Sequence, residues 1–364
     1  MTKRSLKKLL AGLSGGVLVA LAISMFTAAT ASVSFYYSVT DLGNLGGGYS
    51  KAYGINYAGQ VVGSSETSSG KQHAFLWEDG TMTDLGTLGG DTSSASDINN
   101  KGQVIGYWYN SGGERSNFLW SNGIMTDLGN LGSDDIIAIA SSINDMGQIV
   151  GYSSTSTNSR GFLWKNRIMT DIGSLNGELD DTTNAFDINN EGQVVGDSDS
   201  QDSQDGTSHA FRWSNGTMTD LGTLGGKFSD ANAINKAGDV VGWSQFKKSS
   251  RDWHAFLWSN ANGTMTDLGT LTGGEGEQSY AYDINNAGRV IGHISQLING
   301  QYQDKYFTWY KGTMTDINTS LPENSGWKIT GVHGINNHGQ IVGQGTFNGG
   351  STTAVLLTPV RVTN

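Results

Sequence analysis

Three carboxylates recur at one repeated place in this chain: Asp97, Asp187 and Asp283 each stand directly before an Ile-Asn pair. If those segments gather around an axis, the carboxylates ring it and could hold a cation or protonate a leaving group. The alternative is that they hydrogen-bond neighbouring backbone or face channel water. A denser acidic run, Asp197-Ser198-Asp199-Ser200-Gln201-Asp202-Ser203-Gln204-Asp205-Gly206, brings Asp197, Asp199, Asp202 and Asp205 together with Ser and Gln oxygens. Such a set could ligate Ca²⁺ as a structural ion. Its spacing lacks the bidentate Glu of an EF-hand, and a solvated acidic loop has the same composition. Trp108, Trp243, Trp253 and Trp327 lie outside the repeated tryptophan position described below. Beside Asn, Asp and Gln they suit sugar rings, whose C–H faces stack while the hydroxyls bond; alternatively, Trp108 and Trp243 extend a strand and pack inside. His73, His209 and His254 repeat with the scaffold, and His293, His333 and His338 offer no metal-ligand spacing. No nucleophile elbow, phosphate-binding glycine loop or zinc motif is present, so no catalytic residue is assigned.

The elements that must position these side chains are repeats. Ile-Asn-x-x-Gly-x-Val/Ile-Val/Ile-Gly starts at Ile55, Ile98, Ile143, Ile188, Ile234, Ile284 and Ile335. A period in the forties to low fifties marks a repeat architecture of small sheets. In the copy at 95–129, Ala95–Ile98 reads as an inner strand and Gln103–Tyr107 as its partner. The Asn99-Asn100-Lys101-Gly102 between them suits a type I turn with Gly102 left-handed. Asn117–Trp120 and Ile124–Gly129 make a second hairpin across Ser121-Asn122-Gly123. Asn166-Arg167 departs from the Asn-Gly pattern and predicts a looser turn. Phe and Trp two apart on the third strand, as in His73-Ala74-Phe75-Leu76-Trp77, point to one face and fill the space between units.

Seven four-stranded antiparallel units predict an all-β, seven-bladed β-propeller over residues 32–364. The segment Tyr37–Gly43 is a fourth strand without its first three, and Ala354–Leu357 a third strand without its fourth. The N-terminal strand therefore completes the last blade and closes the ring, removing an open sheet edge. Residues 1–31 differ in kind: Lys3, Arg4, Lys7 and Lys8 precede an apolar run from Leu9 to Phe26 and the small residues Ala29-Thr30-Ala31. That pattern is a signal peptide, with a retained membrane anchor as the alternative. It predicts a secreted, extracellular or periplasmic protein. Removing it takes four positive charges and no negative ones, so the net charge of −11 becomes −15. Such a surface repels phosphate backbones and anionic membranes, which argues against nucleic acid and lipid partners.

His-Ala-Phe-Leu-Trp followed by Gly-Thr-Met-Thr-Asp-Leu-Gly-Thr-Leu-Gly-Gly resembles the HAF-repeat family of bacterial extracellular proteins over residues 36–357. The hairpin order also resembles a kelch blade, without the Gly-Gly pair typical of kelch after the second strand. The resemblance implies export and a propeller-like fold; it implies no reaction and no functional residue.

Comparison among the copies sorts the loops. Ile-to-Gly across the first hairpin is eight residues in all seven copies, whereas the second-to-third-strand segment runs from ten residues between Gly151 and Phe162 to fourteen between Gly196 and Phe211. The variable segments and the blade-to-blade connections emerge on one face. Binding residues tend to sit on loops held by a rigid scaffold. The chain is therefore expected to be a monomeric, non-catalytic module that binds a carbohydrate or an extracellular protein at that face. The alternative is an extracellular hydrolase or lyase acting on polysaccharide, with channel carboxylates as acid and base.

Overall fold

A computed structural model describes residues 35–129, 131, 137–154, 156–178, 181–200, 207–246, 252–274, 276–298 and 301–362. Residues 1–31, read above as a signal peptide, lie outside them. Seven four-stranded antiparallel sheets form the blades. We number the blades in chain order by their inner strands: Gly46–Ile55, Thr92–Ile98, Ile137–Ile143, Thr183–Ile188, Ser229–Ile234, Glu277–Ile284 and Trp327–Ile335. Blade 7 takes its outer strand from the other end of the chain. Phe35–Asp41 pairs antiparallel with Thr352–Arg361, from Phe35 opposite Arg361 to Asp41 opposite Val355. The propeller and its closure are as the sequence predicts, and a short 3₁₀ turn, Ile317–Ser320, links blades 6 and 7.

The apolar core is divided into layers between blades. One layer joins Val62, Ala74 and Leu85 of blade 1 to Ala95, Ile98, Val104 and Phe118 of blade 2, with Trp120 packed against it. Burying a Phe side chain stabilises by roughly 1.5–3 kcal/mol, and Phe75, Phe118, Phe162, Phe211, Phe256 and Phe307 are all fully buried. Trp77, Trp120, Trp164, Trp213, Trp258 and Trp309 pack in the same layers.

Both turns of each blade follow from their residues. Gly102 N donates to Asn99 O and Asn99 N to Gln103 O, closing the first turn around Gly102 at φ 72°. The second turn of blades 1 to 4 and 6 is two residues long with both φ values positive, 51° and 81° at Asn122-Gly123, while in blade 5 four residues separate Ser259 from its partner Thr264. Asn166-Arg167 is not looser. Its φ values are 53° and 64°, and Lys165 stays opposite Ile168. The flanking strands impose the turn, and Arg167 takes a left-handed conformation that costs a side chain roughly 1 kcal/mol.

Candidate functional site

Each inner strand carries a β-bulge at the same point, where the ladder slips between Ala52 and Gly54, Ala95 and Asp97, Ala140 and Ser142, Ala185 and Asp187, Ala231 and Ala233, Ala281 and Asp283, and Val332 and Gly334. An extra unpaired residue bends a strand and re-aims a side chain. The extra residues are Tyr53, Ser96, Ser141, Phe186, Asn232, Tyr282 and His333, and together they line a 200 Å³ cavity in the central channel. The glycine of Val/Ile-Val/Ile-Gly permits the bulge: a Cβ on Gly106 would stand 2.1 Å from Ser94 O.

Toward the hairpin end the channel opens into a second cavity of 220 Å³, lined by the Ile-Asn segments of all seven blades. Its side chains are occupied with one another. Asn56 Nδ2 donates to Asn99 O at 3.1 Å, Asn99 to Asn144 O at 2.9 Å, Asn144 to Asn189 O at 3.0 Å and Asn189 to Asn235 O at 3.1 Å. Asn285 continues to Asn336 O and Asn336 returns to Asn56 O, both at 3.1 Å. Asn235 Nδ2 makes only the bond within its own turn, to Asp239 Oδ2 at 3.3 Å, equivalent to those of Asn56, Asn99, Asn144, Asn189 and Asn336 to the Gln four residues on. Across the junction of blades 5 and 6 it is Asn232 Nδ2 that donates, to Ala281 O at 2.7 Å. All seven asparagines are buried, so this ring joins blade to blade with satisfied polar groups.

The three repeated aspartates belong to the same stapling system. Asp97 accepts from its neighbour Ile98 N and, across the junction, from Ile143 N at 3.0 Å. Asp187 accepts from Ile188 N and Ile234 N, and Asp283 from Ile284 N and Ile335 N. Blades 2, 4 and 6 thus each grip the next blade, which carries Ser142, Ala233 or Gly334 at the equivalent position. Ser142 Oγ lies 3.0 Å from Asp97 and 2.7 Å from Asp187. It has one hydrogen for two carboxylates, which favours a proton on one of them. Burial pushes Asp97 up to about 6, with the Asp187 charge adding to the rise against bonds from Ile143, Ile98 and Ser142. Burial likewise pushes Asp283 up to about 7, against the Ile335 bond and with help from Asp187 and Asp97.

The other sequence candidates fall in three places. Trp243 and Trp253 come together at 5.0 Å, edge to face, within a run that continues from Phe228 through Trp243 to Tyr280 and His293 in blade 6. Trp108 packs into the layer between blades 1 and 2. Trp327 packs against the core of blade 7, with Phe347 at 5.3 Å. Of the acidic run, Asp202 and Asp205 lie outside the described residues. Asp197 accepts from Asn184 Nδ2 and Ser208 Oγ, and Asp199 from Thr182 N. Asp230, one blade on, has a buried Oδ1 without a hydrogen-bond partner. Burial, then the Asp197 charge, raise its pKa well above the carboxylate range. Among the described residues no group of three His, Cys, Asp or Glu is arranged to hold a metal.

Sequence reasoning missed the bulge ring, although a signal for it was present. Between a near-constant Ala and Ile-Asn two positions on, the seven copies read Tyr, Ser, Ser, Phe, Asn, Tyr and His.

Comparison with known proteins corrects one expectation. The family description that matches, over residues 272–353, is "Protein of unknown function (DUF3466)"; neither a HAF-repeat family nor a kelch family is found. The shared wording of the repeat is explained by a turn that recurs from blade to blade: Asp Oδ1 accepts the N–H two residues on, from a glycine as at Gly86, Gly222 and Gly269 and from Asn318 in blade 6. No curated protein matches the chain. Among solved structures, an oligogalacturonate lyase in complex with manganese is similar with a TM-score of 0.58 and 10% identity, covering 90% of this chain and 96% of that one. An oligogalacturonate lyase from Vibrio parahaemolyticus gives 0.56 and 8%, over 90% and 97%. The β-propeller domain of the Trilobed protease from Pyrococcus furiosus gives 0.53 and 7%, over 90% and 98%. That domain is described as having an open velcro topology, whereas Phe35–Asp41 closes the last blade here. At such identities the likeness is one of fold. Among the described residues, no helix is long and apolar enough to cross a membrane.

Proposed function

We propose that the protein is an exported binding module that takes a carbohydrate at the connection end of its channel. The observation that carries this reading is the unlike, aromatic-rich lining of the bulge ring, set directly above a ring in which every blade carries the same Asn. Tyr53, Phe186, Tyr282 and His333 face a 200 Å³ cavity, with Tyr53 5.2 Å from His333. Pockets for drug-sized ligands run about 300–1,000 Å³, so this cavity suits the end of a chain, with the rest lying over Trp243, Trp253 and Tyr280. Flat rings interspersed with Asn232, Ser96 and Ser141 supply stacking faces and hydrogen-bond partners in the proportions sugars use. A glycan array with the mature chain, followed by titrations monitored by tryptophan fluorescence, tests it. Trp243→Ala should weaken the best ligand by about tenfold or more. An array without a hit, or unchanged affinity in both Trp243→Ala and Tyr53→Ala, contradicts it.

A second reading rests on Asp197 and Asp230. Two carboxyls whose environments differ, one bonded and one unpartnered, are the arrangement from which an acid and a base are made. Release of shorter products from a bound polysaccharide, abolished in Asp230→Asn, would favour a hydrolase or lyase.

A further inference from the structure

Between blades 2 and 3, at the hairpin end, lies a cavity of 340 Å³ that shares no lining residue with either channel cavity. Lys101 of the first turn of blade 2 lines it, as do Lys165 and Arg167 at the second turn of blade 3; no Asp or Glu is in the lining. Each of the three is the one Lys or Arg at its repeated position. Where Lys101 stands, the other copies carry Ala58, Met146, Glu191, Ala237, Ala287 and His338. Where Lys165 follows Trp164, the equivalent tryptophans are followed by Glu78, Ser121, Ser214, Ser259 and Tyr310. Where Arg167 holds φ 64°, the other two-residue turns have Gly. In a chain of net charge −11, three such exceptions meet at one junction.

The protein itself leaves these groups unmatched. None of the three has an ion pair among the described residues, whereas Lys71 pairs with Asp91 at 3.2 Å. Asp145 feels the Lys101 charge but does not line the cavity. Its oxygens already accept from Asn100 N, Asn100 Nδ2 and Asn190 Nδ2. Gln148, also in the lining, is 5% exposed. Its Oε1 accepts from Asn144 Nδ2 at 2.7 Å, and its Nε2 has no partner among the described residues. In blade 1 the equivalent amide, Gln60 Nε2, donates to the Glu78 carboxylate at 2.9 Å. Lys165 stands where Glu78 does, so blade 3 keeps the donor and lacks the anion. The left-handed Arg167 fits the same reading, since backbone strain of this kind concentrates at functional sites.

We propose that this cavity binds the phosphate monoester of a small organic molecule. The proposal goes beyond the carbohydrate reading of the channel and does not depend on it. A phosphomonoester carries about 1.5 to 2 negative charges at pH 7 and three acceptor oxygens. The planar fork of Arg167, the two ammonium groups and the Gln148 amide are donors suited to it. Leu119, Met146 and Trp164 supply an apolar wall for the body of the ester, in a volume within the range of about 300–1,000 Å³ usual for small ligands. A monocarboxylate would leave two of the cations unmatched. A nucleic acid would carry its remaining phosphates out over an acidic surface.

The test is calorimetric titration of the mature chain at low salt with phenyl phosphate, inorganic phosphate and benzoate. Phenyl phosphate should bind about tenfold or more tightly than either of the others, and its affinity should fall as added salt screens the cations. Arg167→Gly, which restores the turn of the other blades, should weaken phenyl phosphate about tenfold or more without lowering the melting temperature. Lys165→Gln should weaken it likewise, and Lys311→Gln, in the same turn of blade 6, should leave it unchanged. No binding of phenyl phosphate at millimolar concentration, or equal affinity in wild type, Arg167→Gly and Lys165→Gln, overturns the site. Equal weakening by Lys311→Gln also overturns it, because the anion would then respond to net charge alone. Inorganic phosphate or benzoate binding as tightly as phenyl phosphate overturns the monoester as the ligand.

Discussion

At the hairpin end of the channel seven copies of one asparagine face inward, and their amides bond from blade to blade almost all the way round. Three residues earlier on the same strands, the bulge positions hold Tyr, Ser, Ser, Phe, Asn, Tyr and His. The two rings share strands, bulges and axis, so backbone geometry does not distinguish them. The difference lies in how far each side chain is taken up by the neighbouring blade: in the bulge ring Asn232 reaches across, to Ala281 O, Tyr282 and His333 bond within their own blades, and all seven line the channel cavity. Where the partner is the next blade, every copy must fit it and the sequence repeats. Where it is not, the copies are free to differ, and that freedom is what a ligand site needs.

The harshest way to break the repeated end is to open the ring. Deleting Phe35–Asp41 removes a seven-residue ladder and the fully buried Tyr37, and it bares the edge of Thr352–Arg361. Loss of a single cooperative melt is expected, whereas removing residues 362–364 should shift stability by no more than about 0.5 kcal/mol. Paired thermal melts check this.

A milder lever is pH, which acts on the aspartate staples. Asp283 and Asp97 titrate higher when folded, at about 7 and about 6 against 3.8. Folding thus favours their protonated forms. Their contribution to stability is full below about pH 4 and is lost as pH rises through about 7. Asp145, Asp220 and Glu277, whose pKa values are lowered, act oppositely, but only as pH falls below their unfolded values near 4. His293 and His333, whose pKa values burial lowers, lose stability as pH falls below about 6.5 and offset part of this trend. The difference in urea midpoint between wild type and Asp283→Asn should therefore carry the aspartate contribution, shrinking as pH rises from 5 to 8.

The smallest effect sharpens the comparison at the blade rim. Arg167 holds φ 64° in a turn where most copies have Gly. Arg167→Gly should raise stability by up to about 1 kcal/mol, the relief of a left-handed side chain less the entropy glycine adds to the unfolded state. A lower melting temperature would show that Arg167 makes a contact worth more than its strain.

The fold was legible because it is written seven times. Gly102 and its equivalents, the Phe-Trp pairs and the split terminal blade each have one local cause. The aspartates were legible as a ring but ambiguous in role, since a carboxylate before Ile-Asn reads the same whether it meets a substrate or the N–H of the next blade. The bulge was hidden because a strand pattern of period two has no mark for an extra residue. Its effect surfaces only when Gly106 and Ala95 are seen paired while Ile105 pairs with Asp97. The acidic run drew attention through composition, yet the partnerless carboxylate is Asp230, a residue without acidic neighbours in sequence.

The division of the channel into a structural end and a binding end is tested most directly by measuring both properties on one variant from each ring. Asn144→Ala should cost about 1–3 kcal/mol in urea unfolding, by stranding the buried groups it bonds, and should leave glycan affinity unchanged. Tyr53→Ala should weaken binding by about tenfold or more with a far smaller loss of stability. Two variants that lose binding and stability in the same proportion would contradict the division, because the two rings would then be one structure with one role.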